Sequence, residues 1–179
     1  ARNQVAKNDT VQWGVDSTAT WTRETTLPGP LPGWPSPLVT TCFKFTATAN
    51  IVGASSLVYT TNDAVPGAGT YIPAAYIWVP SSYGAAPLAI HGAAYTGGTP
   101  TACPVDLGLR DQWQLCQGEQ VVVGGDLAGV LGVVLTGGTI ATGESFYLTL
   151  AMFQPAPLTS PAVGSFGTGY AFAGTVERS

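Results

Sequence analysis

Residues 39–52, VTTCFKFTATANIV, decide the fold. Val39, Thr41, Phe43, Phe45, Ala47, Ala49 and Ile51 fall on one side of an extended chain, with Thr40, Cys42, Lys44, Thr46, Thr48 and Asn50 on the other. Apolar residues at a period of two mark a half-buried β-strand, because successive side chains of a strand point to opposite faces. Similar runs occur at 56–61 (SLVYTT), 70–79 (TYIPAAYIWV), 87–95 (PLAIHGAAY), 120–123 (QVVV), 127–135 (LAGVLGVVL), 145–153 (SFYLTLAMF) and 165–176 (SFGTGYAFAGTV). Upstream, 10–23 (TVQWGVDSTATWTR) alternates at Val11, Trp13 and Val15 and resumes at Trp21 after a polar turn. Gly, Pro, Asn or Asp separates nearly all of these runs, and no window carries an apolar stripe of helical period. The expectation is an all-β chain, a single jelly-roll-type β-barrel or sandwich of eight to ten strands with an N-terminal arm. With 179 residues and 18.3 kDa it is read as one domain spanning 1–179, with the arm at 1–9.

Between the first strand candidate and the strongest lies TTLPGPLPGWPSPL (25–38), which sets five prolines around Trp34. Its internal position rules out a tail, and 24 preceding residues are too few for a domain that a flexible linker would join. Prolines lower the entropy lost when such a segment is ordered. The segment is therefore expected to be a stiff strap laid on the barrel or on a neighbouring subunit, with Pro32, Trp34 and Pro35 as contact residues. Trp13 and Trp21 are further candidates for an interaction surface.

Charged residues make up only 9% of the chain, so its polarity comes from Thr, Ser, Asn, Gln and Gly. A surface this poor in charge lacks what usually keeps monomers apart, which predicts a homo-oligomer, dimer or higher. The six basic residues form no stripe, so nucleic-acid binding is not expected. No apolar run approaches the length needed to span a bilayer as a helix. The chain begins at Ala1 and its only methionine is Met152, which predicts processing upstream, by initiator-methionine excision or signal cleavage.

Three cysteines are present, Cys42, Cys103 and Cys116. Cys103 and Cys116 bracket PVDLGLRDQWQL (104–115), a span over which a disulfide would stabilise by ~3 kcal/mol; three reduced, buried thiols are the alternative. One histidine and no CxxC pair leave no expected metal site and no expected cofactor. His91 stands inside an apolar strand, where a lone imidazole is more often a hydrogen-bonded packing residue than a catalyst. VGSFG (163–167) is not a nucleophile elbow, and VGGDLAG (123–129) lacks the lysine and helix of a phosphate loop. Glu119 and Glu144 could form a glycosidase pair, but both fall at turns, where acids are usually solvated. No catalytic residue is assigned, and the chain is expected not to be an enzyme.

The arm leading into a β-barrel whose closing strand is ESFYLTLAMFQPA (144–156) looks like a viral coat protein. It resembles the small, single-β-barrel major capsid proteins of tail-less icosahedral phages that enclose a membrane and infect thermophilic bacteria. The resemblance implies a virion protein that assembles into capsomers, has a second capsid protein as partner, and contacts an underlying lipid membrane. The alternative is a secreted, extracellular carbohydrate-binding or adhesin β-sandwich module, supported by five tryptophans and seven tyrosines, since flat aromatic faces stack on sugar rings.

Overall fold

Strands and turns make up the whole of what the structure, a computed structural model, describes, which is residues 13–32, 39–60, 63–64, 69–94, 101–117, 120–122 and 128–155. In chain order the strands are β1 (Trp13–Val15), β2 (Ala19–Glu24), β3 (Cys42–Ala47), β4 (Ile51–Val52), β5 (Ser55–Thr60), β6 (Asp63–Ala64) and β7 (Gly69–Trp78). They continue as β8 (Leu88–Ala94), β9 (Thr101–Pro104), β10 (Trp113–Gln117), β11 (Gln120–Val122), β12 (Ala128–Leu135), β13 (Thr139–Ile140) and β14 (Ser145–Pro155). Ten of them build two antiparallel sheets of five, in the orders β1-β5-β12-β8-β9 and β10-β7-β14-β3-β2. Here β6 and β11 extend the sheets at β12 and β7, and β4 pairs with β13 as a separate ribbon. The architecture is a β-sandwich.

The core lies between the sheets and is built by the alternation that the sequence displays. Phe43, Phe45 and Ala47 of β3 point inward to meet Phe146 and Leu148 of β14, while Leu131, Val133 and Leu135 of β12 and Leu88 and Ile90 of β8 face them from the first sheet. Phe45 and Phe146 stack with centroids 4.7 Å apart. The chain changes sheet between β1 and β2 at a turn in which Asp16 accepts hydrogen bonds from the Thr18 amide and hydroxyl and from the Ser55 hydroxyl. Those bonds, the Thr18 hydroxyl's first, hold the Asp16 carboxyl below the usual range.

The alternating run 39–52 is not one strand. Extended pairing stops at Ala47 and resumes at Ile51, because the amides of Thr48 and Ala49 turn to the Thr18 carbonyl and the Asn50 side chain accepts from the Thr142 amide and hydroxyl. A second departure from regular alternation occurs in β14. A register shift between Thr149 and Met152, with Leu150 at φ 50°, turns Leu150 to the outer face while Ala151 packs on the core. Such a bulge re-aims side chains at the cost of local pairing.

Candidate functional site

The outer face of the second sheet carries aromatic and polar side chains in a single row. Register places Thr22 opposite Lys44, Lys44 opposite Tyr147, Tyr147 opposite Trp78 and Trp78 opposite Trp113. One residue from each of β2, β3, β14, β7 and β10 thus forms a row across the sheet. Four interstrand steps make it ~19 Å long.

The strap closes half of this row. Leaving β2 at Glu24, it lays Leu27 and Leu31 on a second apolar cluster of Cys42, Tyr76, Trp78 and Trp113, with Leu115, Tyr147 and Leu150 at its margin. The Trp113 indole Nε1–H donates to the Gly29 carbonyl at 3.0 Å, and Trp78 and Trp113 meet edge to face. Gly29 is a site of close approach: a Cβ there would stand 2.5 Å from two ring carbons of Trp78, so only glycine lets the backbone lie on that indole. The Tyr76 hydroxyl is buried beneath, with no hydrogen-bond partner among the described residues. The other half of the row is open. Thr22 is exposed, Lys44 and Tyr147 are half-buried, and the Lys44 ammonium sits 5.6 Å from the centre of the Tyr147 ring.

The residues singled out in the sequence distribute differently from expectation. Trp13 and Trp21 are not on an interaction surface: both are interior, their rings 5.3 Å apart, with Trp21 stacked on Phe43. Their inward direction follows from the pairing of β1 with β5 and β2 with β3, which no local pattern announces. Pro32 is exposed on the strap, whereas Trp34 and Pro35 lie outside the described residues, as do the arm, Glu119 and the run 165–176. Glu144 is not simply solvated at its turn: its carboxylate accepts from the amides of Ala141 and Gly84. His91 sits on the outer face of β8, half-buried, and burial lowers its pKa. Among the described residues no group of three His, Cys, Asp or Glu could hold a metal ion. The candidate site residues that sequence reading missed are Lys44 and Tyr147. Their signal was present as the polar side of two alternating runs, but only the pairing of β3 with β14 joins them.

Cys103 and Cys116 are free thiols on β9 and β10, the edge strands of opposite sheets. Burial, then the neighbouring Cys103, pushes the Cys116 thiol up to about 12; burial, then the charge of Glu24, pushes Cys42 up to about 12. Both shifts keep these thiols protonated at ordinary pH. Iodoacetamide is therefore expected to alkylate half-buried Cys103 in the native protein and to reach Cys42 and Cys116 only on unfolding, as peptide mass mapping would show. Equal native labelling of all three would contradict these burials.

No protein-family model and no curated protein matches the sequence. Solved structures do share the fold. A Clostridium thermocellum endo-1,4-β-D-xylanase with CBM22-1 and GH10 modules, complexed with xylohexaose, matches 87% of this chain at TM-score 0.55 and 8% identity, over 28% of its own length. The enzymatically active domain of tailspike protein 4 from bacteriophage CBA120 matches 86% at TM-score 0.55 and 10% identity, over 21% of its length. The chain thus spans about a quarter of each of these two. TmCBM61 in complex with β-1,4-galactotriose matches 87% of the chain over 100% of its own, at TM-score 0.53 and 11% identity. Carbohydrate-binding modules and a tailspike share this sandwich, and no capsid shell is among these neighbours, so the coat-protein reading, with its capsomers and virion location, is set aside.

Proposed function

We propose that this chain is a non-catalytic carbohydrate-binding module of an extracellular protein, recognising β-1,4-linked polysaccharides along the outer face of its second sheet. The observation that carries the reading is the row of Thr22, Lys44, Tyr147, Trp78 and Trp113, which crosses five strands and is open at its polar end. A pyranose unit would lay its C–H face on the Tyr147 ring, while the Lys44 ammonium, now held at that ring, would donate to a sugar hydroxyl. The Thr22 hydroxyl, which donates to Glu24 at 3.2 Å, would exchange that exposed bond for one to the next unit. The strap forms a wall that stops the chain before Trp78. Likeness in fold to modules solved with xylohexaose and β-1,4-galactotriose supports the substrate class.

The structural use of several acids supports the non-catalytic part of this reading: Asp16, Asp106, Asp111 and Glu144 each accept a backbone amide hydrogen bond at a turn. Affinity electrophoresis against xylan and β-1,4-galactan tests the proposal. Wild type is expected to be retarded by at least one of them, with Tyr147→Ala and Lys44→Ala each weakening binding about tenfold or more, equivalent to about 1.4 kcal/mol. Failure of the wild type to bind either polymer, or unchanged binding in both variants, would overturn it.

A further inference from the structure

The outer face of the first sheet has a different construction. Register aligns Gly14, Tyr59, Gly132, His91 and Ala102 across β1, β5, β12, β8 and β9. Two glycines and an alanine leave Tyr59 and His91 as the only members of this row taller than a methyl group. Tyr59 is 42% exposed, the most exposed aromatic residue among those described. Its phenol lies over Gly14, where a Cβ would overlap ring carbons Cζ and Cε2. The missing side chain is thus what lets the ring lean over β1 while the residue stays exposed. His91 stands on the opposite side of Tyr59 from Gly14, two strands and ~9.6 Å from the Tyr59 backbone at ordinary strand spacing, with Gly132 between them.

We infer that this face is a second carbohydrate subsite, in which one pyranose unit stacks on the exposed face of Tyr59 and a neighbouring unit of the same chain hydrogen-bonds His91; it rests on the carbohydrate-binding reading above. A flat ring with an open face suits the apolar C–H side of a sugar better than it suits an aliphatic side chain. A neutral imidazole offers one donor and one acceptor, the pair that a hydroxyl can satisfy at once. The row holds no carboxylate, lysine or arginine, which argues against a charged ligand.

Isothermal titration with xylohexaose and with β-1,4-galactotriose tests the subsite. Wild type is expected to bind two molecules per chain, Tyr59→Ala one, with the remaining affinity within about twofold and the melting temperature unchanged. His91→Ala is expected to weaken the same site about fivefold or more, and the His91 imidazole resonances should shift on titration in wild type and not in Tyr59→Ala. One molecule per chain, lost in Tyr147→Ala and untouched in Tyr59→Ala, would overturn the subsite and leave the module reading standing. One molecule lost only in Tyr59→Ala would uphold the subsite and overturn the assignment of the second sheet. No binding of either sugar overturns both. A sugar-free dimer that Tyr59→Ala converts to monomer in sedimentation would show the face to be a contact between copies, and would overturn the subsite as well.

Discussion

Trp113→Ala is expected to cost about 3–5 kcal/mol of stability, as truncation of a buried aromatic does, and to lower the thermal midpoint by on the order of 10 °C in a chain of this size. Three losses combine at this position. The indole is 4% exposed, its edge packs on Trp78, and its N–H holds the strap through the Gly29 carbonyl. Removing it leaves a cavity at the edge of the sheet and unfastens the segment that covers it. Trp113→Phe separates these contributions: packing is largely kept and the hydrogen bond is lost, for about 1 kcal/mol. Differential scanning calorimetry of both variants checks the order. Equal and small effects would mean that the strap is held elsewhere and that the second cluster contributes little.

Phe45→Ala is expected to have an effect of similar size, about 3–5 kcal/mol, through a different mechanism. Phe45 is fully buried at the centre of the sandwich, stacked within 12° of parallel on Phe146. Both strands are central, since β3 lies between β2 and β14 and β14 between β3 and β7, so the surroundings cannot collapse into the vacated space without moving paired backbone. A double-mutant cycle with Phe146→Ala should show a coupling of about 0.5–1.5 kcal/mol beyond the loss of buried area. Urea denaturation measures it, and additivity of the two single variants would show that the stacking contributes nothing of its own. Neither substitution alters Tyr147 or Tyr59 themselves. Below their melting temperatures Phe45→Ala should keep sugar binding, whereas Trp113→Ala, by freeing the strap, should alter it.

The strands were legible wherever one face is buried and the other wet. The run 42–47 shows this plainly, with Phe43, Phe45 and Ala47 inward. Strand β10 was not legible. Trp113, Gln114 and Cys116 are all buried, because the sheet covers one face and the strap contributes to covering the other, so no alternation survives in WQLCQ. The loop before it was read only as a span between two cysteines, yet it is ordered by Gln114. That side chain accepts from the Asp106 amide at 2.8 Å and donates to the Asp106 carbonyl at 3.0 Å.

The candidate sites were less legible still. The aromatic residues were recognised as a class, but the sequence could not sort Trp13 and Trp21, which fill the interior, from Tyr147 and Tyr59, which reach the faces. The stiffness of 25–38 was readable because proline restricts its own φ whatever surrounds it. The place where the segment docks was not, since Trp113 and Gly29 meet across 84 residues.

By itself the sequence determined the class of structure, the inward residues of the strongest strands and the presence of a strap, because alternation and proline geometry act within a few residues. Only the tertiary structure decided which strands share a sheet, what covers each outer face and which side chains stand in one row. Those depend on pairing between strands far apart in the chain: Lys44 meets Tyr147, and Tyr59 meets both Gly14 and Gly132, only after the two sheets have formed.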